Sequence, residues 1–315
     1  MVKPISSWPQ KNVAILSQSP NTYMFLRELL RSMGWAIAKS TPSAREAIDI
    51  IKRKEAYILI VDDSLEEPSA NMIRYLMLDP IIYATPIFTF LLEDHKFERL
   101  PLASMGFKEI VAKPLTPSKF VPSFTAMIKR WETKPMMALR GIFYRYYDDH
   151  NEPKLKELLG KLALVESTAP LVSPILATIL MKEGNLSEAE KTLLEKIKAD
   201  PKNLCSVLTL GNLYLVHAMP HVAKRLFISA HKQFDHSCCL IPDIVQAEIM
   251  LCNFESALEH LQKMANRKYM TDTVLPFMAR IAYALGRKQD AQEYMVDKKG
   301  LFQKIERSWS LALSS

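Results

Sequence analysis

Short apolar runs and helical stripes alternate through the first 130 or so residues. Residues 13–16 form an apolar run of strand length that ends in Ser17-Gln18-Ser19-Pro20. Asn21 is then placed to cap a helix. Its apolar residues Met24, Phe25, Leu29 and Leu30 recur at helical spacing, and Gly34 ends it. A second strand is expected over 35–38, and Ser43 precedes a helix carrying Ala44, Ala47, Ile48 and Ile51. Residues 57–61 are continuously apolar, as in a strand covered on both faces. The pattern continues with a helix around 72–78, a strand at 86–91, a weaker helix at 96–104, a strand at 110–112 and a helix at 117–131. Five strands alternating with five helices predict an open, doubly wound parallel sheet. Chemistry in such sheets sits at the carboxyl ends of the strands, where Asp62 and Lys113 both fall.

After Lys134-Pro135 the pattern turns wholly helical and acquires a period. Ala189, Ala223, Ala257 and Ala291 stand 34 residues apart. Units counted from Pro170, Leu204, Cys238 and Asp272 carry small residues at positions 8 and 20 and larger apolar ones at 7 and 24, with Leu180 and Tyr214 at position 11 of the first two. A fixed period of this size marks a helix-pair array, in which each unit buries its apolar face only by stacking on a neighbour. The third unit fits least well, with Val245 and Glu248 off the pattern. A helix pair at 139–147 and 155–164 precedes the array. Leu301, Phe302, Ile305 and Trp309 predict a capping helix over 301–315. The fold class is therefore α/β followed by all-α, with domains over 8–133 and 136–315.

Composition narrows the class. The chain is 49% apolar and 24% charged, so it folds. Its net charge of +7 is spread out, with no basic block of the kind that binds nucleic acid. No signal peptide or membrane-length apolar run is visible. Cys205, Cys238, Cys239 and Cys252 lack zinc spacing and read as packing residues of a cytoplasmic protein. No glycine-rich phosphate loop occurs. His217, His221, His231 and His236 cluster without a paired nucleophile or metal spacing, so an enzyme is not expected.

The N-terminal part resembles the receiver domain of two-component response regulators over roughly residues 10–130. The matching residues are 13–20, 58–62 with Leu65, Asp79-Pro80, Thr85-Pro86, and Gly106 through Lys113-Pro114. The resemblance makes Asp62 the phosphoacceptor candidate, with Asp63 and Lys113 beside it in the pocket. Departures weigh against a phosphate cycle. Ser17 and Gln18 replace the acidic pair that holds magnesium, and a hydroxyl and an amide are poor ligands for that ion. Leu91 replaces the hydroxyl residue after the fourth strand, and Ile110 the aromatic switch of the fifth. No cofactor is expected, with Mg2+ required only if the receiver is active.

The array resembles the tetratricopeptide repeat, whose first helices line a groove. The resemblance places Thr178, Asn212, Gln246 and Arg280 (position 9) there as a polar column. Tyr283 belongs to the adjacent column with Met181, Leu215 and Ile249 at position 12. Amides and Arg280 in such a groove could hold an extended peptide. The two resemblances imply a signalling adaptor. Its receiver-like domain docks a histidine kinase or other signalling protein, and its repeats bind a protein partner. The alternative is a response regulator switched by phosphorylation of Asp62.

Overall fold

Five short strands form one parallel sheet: β1 (Asn12–Leu16), β2 (Ala36–Thr41), β3 (Ile58–Asp62), β4 (Ile87–Leu91) and β5 (Ile110–Ala112), in the order β2-β1-β3-β4-β5. The computed structural model describes residues 8, 10–63, 76, 79–93, 99–105, 109–146, 152–234, 239–265 and 274–295. The chain divides into two units, Met1–Leu210 and Gly211–Ser315. Every residue of β3 and β4 is buried, as their unbroken apolar sequences require. Half of the edge strand β2 is exposed and one residue, Thr41, is buried; its register skips Ala38, pairing Val13 with Ile37 and Ala14 with Lys39. A bulge and a lysine on an edge blunt its capacity to pair with another chain.

Helices α1 (Pro20–Ser32), α2 (Ala44–Lys52), α3 (Arg99–Ser104) and α4 (Pro117–Trp131) flank the strands in sequence. Ser19, rather than the expected Asn21, caps α1, its hydroxyl accepting the Thr22 N–H at 3.2 Å. Pro20 occupies the first helical position, where its missing N–H is no loss. Ser43, which the sequence placed just before α2, caps it by accepting the Glu46 N–H. The helix expected around 72–78 lies outside the described residues except for Leu76, as do Leu65 and Gly106. Before β4 the chain forms a 3-10 turn, Pro80–Ala84, which the apolar pattern did not announce. Asp79 caps it, accepting the Ile81 N–H at 3.2 Å, and Lys52 Nζ lies 2.5 Å from the same carboxylate.

An aromatic chain fills one side of the sheet. Trp8 meets Trp35 edge-on at 5.5 Å, Trp35 meets Phe124 at 5.6 Å, and Phe88, Phe90, Phe120 and Phe124 interlock at 5.2–6.0 Å. Each such contact adds about 0.5–1.5 kcal/mol beyond area burial. The core does not stop at Trp131. It continues through Met136, Leu139 and Phe143 of α5 (Lys134–Tyr146), Leu155 and Leu159 of α6 (Glu152–Ala163), and Leu171, Ile175 and Ile179 of α7 (Ala169–Lys182). Trp8 reinforces the joint: its indole N–H donates to Glu132 at 3.0 Å and the Arg140 guanidinium lies 3.7 Å over its ring.

The helix pairs then recur through α8 (Leu186–Ala199), α9 (Leu204–Val216), α10 (Pro220–Gln233), α11 (Ile241–Met250), α12 (Phe254–Ala265), α13 (Val274–Ala284) and α14 (Lys288–Glu293). Ala177, Ala189, Ala223, Ala257, Ala279 and Ala291 are fully buried, which is what close helix approach demands of positions 8 and 20. The backbone repeats as faithfully. Position 15 has positive φ in all four units: Gly184 (80°), Ala218 (54°), Cys252 (58°) and Gly286 (74°). The third unit, irregular in side chains, therefore keeps the turn of the others. Cys205 and Cys239 are buried, whereas Cys252 is exposed rather than packed. Cys238, His236 and the segment expected to cap the array lie outside the described residues.

Candidate functional site

The carboxyl ends of β1, β3 and β5 bring three side chains together in the first unit. Asp62 ends β3 and is completely buried. Ser17, just past β1, donates its hydroxyl to Asp62 Oδ2 at 2.7 Å. Lys113, just past β5, places Nζ 2.5 Å from Asp62 Oδ1. The Lys113–Pro114 peptide is cis. Asp63 turns toward β4 and accepts the Leu92 N–H at 2.8 Å. Ser17 is itself fixed: its N–H donates to the Thr41 carbonyl, and its hydroxyl accepts the Ser19 N–H. Parallel pairing sets this geometry, because strands in register end at one level. A buried carboxylate with a hydrogen bond on one oxygen and an ammonium ion-paired at the other meets the main requirement for keeping its charge in a protein interior.

The receiver resemblance implies magnesium here, and the residues present do not fit it. Gln18 is exposed, Ser17 spends its proton on Asp62 Oδ2, and the Lys113 ammonium already neutralises the carboxylate as an ion pair at Oδ1. A hard dication needs several oxygen ligands, preferably anionic. Among the described residues no group of three or more His, Cys, Asp or Glu side chains is placed to hold a metal. Leu91 and Ile110 are both buried apolar side chains.

The repeat residues are placed differently from one another. Thr178 on α7 is half-buried and donates to the Pro174 carbonyl of its own helix at 2.8 Å. Asn212 on α9 is half-buried, while Gln246 on α11 and Arg280 on α13 are exposed. Tyr283 is half-buried, with Lys288 Nζ 6.0 Å from its ring centroid.

No family model and no curated protein matches the sequence. MamA (41-end) from Desulfovibrio magneticus RS-1 aligns with a TM-score of 0.43 at 15% identity, covering 56% of this chain and 96% of that one. A tetratricopeptide repeat protein from Parabacteroides merdae aligns at 0.39 with 10% identity, covering 88% and 96%. The APC/C hetero-tetramer Cut9-Hcn1 aligns at 0.39 with 12% identity, covering 74% and 42%. Among the described residues no helix is long and apolar enough to cross a membrane.

Sequence reasoning missed one buried cluster in the second unit. Glu248 stands where Leu180 and Tyr214 stand in the preceding repeats, and it is as buried as they are. It receives Lys224 Nζ at 2.7 Å, Asn253 Nδ2 at 2.9 Å and Ser256 Oγ at 2.8 Å. Burial alone would raise its carboxyl; the bonds from Lys224, Asn253 and Ser256 outweigh that and hold it below the usual carboxylate range. The only signal in the sequence was a glutamate at an apolar position of the period.

Proposed function

We propose that this protein is a non-enzymatic, cytoplasmic signalling adaptor. Residues 8–133 form a receiver-like module and residues 136–315 a tetratricopeptide-type scaffold that binds a protein partner through Asn212, Gln246, Arg280 and Tyr283. The strand order is the one that flavodoxin-like doubly wound sheets share, which supports the receiver reading. The observation that carries the phosphorylation-independent form is Asp62. It is wholly buried, and Ser17 and Lys113 engage its two oxygens. Attack on a phosphodonor needs an oxygen that can leave those partners and a cation to offset the developing charge, and the donor set at Ser17 and Gln18 does not fit that cation. In this reading the module docks a histidine kinase or another signalling protein by its surface. It needs no cofactor.

Mass spectrometry of the purified chain after incubation with acetyl phosphate and magnesium tests this. The unmodified mass is expected. An adduct that disappears in Asp62→Asn would make the protein a response regulator switched at Asp62.

A further inference from the structure

The 3-10 turn Pro80–Ala84 belongs to the sheet by chain order, yet much of what it touches is helical. Within the first unit it packs on α5 and α7. Tyr83 lies near Cys205 and Thr209 at the start of α9, where the Thr209 hydroxyl donates to the Cys205 carbonyl at 2.8 Å. A second contact lies alongside: Cys205 Sγ donates to the Met105 carbonyl, just past α3, at 3.4 Å. Helices α5, α7 and α9 are each the first of a pair. A five-residue 3-10 turn is about 10 Å long, and packed helices stand about 8–10 Å apart. One such turn with one tyrosine reaches three alternate helices only where they present a single continuous face.

The period identifies that face. Leu171 and Ile175 precede Cys205 and Thr209 by one repeat, and Leu171, Ile175 and Cys205 are all buried. Phe277 stands two repeats beyond Thr209 and is 39% exposed. Asp243, one repeat beyond Thr209, is buried as well, so among the described residues this register is open only at Phe277, on the last described pair.

We infer that residues 79–85 are an internal ligand of the helix array, held in cis on the shared face of α5, α7 and the start of α9. This rests on the protein-binding reading of the array. The occupant defines the class of partner that competes for the face: a protein segment with two aliphatic residues followed by tyrosine, in a proline-started turn. The ion pair of Lys52 with Asp79 holds the turn to α2, so loosening that end releases it toward exchange.

The test is fluorescence-anisotropy titration of a labelled peptide of residues 79–85 into the full-length chain. Tyr83→Ala, which vacates the tyrosine's place on the face and loosens the turn's hold, is expected to bind at least tenfold more tightly than wild type, and Lys52→Ala to shift binding in the same direction. A folded Tyr83→Ala that binds no better than wild type overturns the inference. Should that variant fail to fold, native-state hydrogen exchange on the wild type decides. Amides of 79–85 and of α7 are expected to open together, before the sheet; exchange only through global unfolding overturns the inference. Substitutions at Gln246 and Arg280 test the partner groove in the second unit and leave this titration unchanged, so the two readings fail separately.

Discussion

The ring of Phe227 lies directly on Gly211: a Cβ built on that glycine would sit 2.0 Å from Cζ and 2.2 Å from Cε1. Phe227 is fully buried. Gly211→Ala is therefore expected to destabilise the second unit by about 3 kcal/mol, the upper range for overpacking, read by urea unfolding. The corresponding positions elsewhere hold Ala177 with Leu193 and Ala279 with Met295. Adding Phe227→Leu to Gly211→Ala should recover most of the loss. A double variant as unstable as the single one would show that the ring does not set the glycine requirement.

Ala218 and Cys252 adopt the left-handed conformation that Gly184 and Gly286 adopt at the same position of the period. An L-residue there loses about 1–2 kcal/mol, partly offset by the extra chain entropy glycine surrenders, about 0.5–1 kcal/mol. Ala218→Gly and Cys252→Gly should each stabilise the protein by about 0.5 kcal/mol or more. Thermal unfolding checks this, and a fall in midpoint would contradict it.

Lys224→Met leaves Glu248 buried without its cation, an arrangement expected to lose about 3 kcal/mol. Lys224→Met with Glu248→Leu restores the apolar residue the other repeats favour and should return stability close to wild type. Equal losses in the single and double variants would mean that Lys224 matters through packing alone.

At the strand ends, Lys113→Met is expected to cost about 3 kcal/mol by stranding the Asp62 charge. Ser17→Ala, which removes one hydrogen bond to a charged group, should cost about 1.5–3 kcal/mol. Lys113→Met combined with Asp62→Asn should fall well short of the Lys113→Met loss. Chemical denaturation orders these variants.

Burial, and then Lys263 close by, lower the His260 imidazole below its ordinary value. A depressed folded value means that the unfolded chain takes up the proton first. Stability is then full above about pH 6.5 and declines as pH falls below it. His260→Gln should match the wild-type pH dependence above that point and gain on it below. Parallel midpoints from pH 5 to 8 would rule the contribution out.

The strands and the helical period were legible because both are burial patterns: 57–61 reads as a covered strand, and the alanines of the array as close approaches. Asp62 and Lys113 were placed at strand ends by register alone. The Ser17 bond was not, since a hydroxyl read only as a poor metal ligand gives no hint of its acceptor. Glu248 looked like a lapse in the period because its partners Lys224, Asn253 and Ser256 meet it only after the helices pack. The turn at 80–84 was hidden for another reason. Its apolar run resembles a strand continuation, and its capping by Asp79 depends on geometry at a single residue.

The core shared by the sheet and α4–α7 has a consequence during synthesis. Phe88, Phe120 and Phe124 are translated well before Leu171 and Ile175, which complete the same cluster. At roughly 5–20 residues per second, the nascent sheet waits several seconds for the helices that finish its cover. For that interval the ribosome-bound chain presents apolar surface that the finished protein hides, a natural stage for chaperone attention.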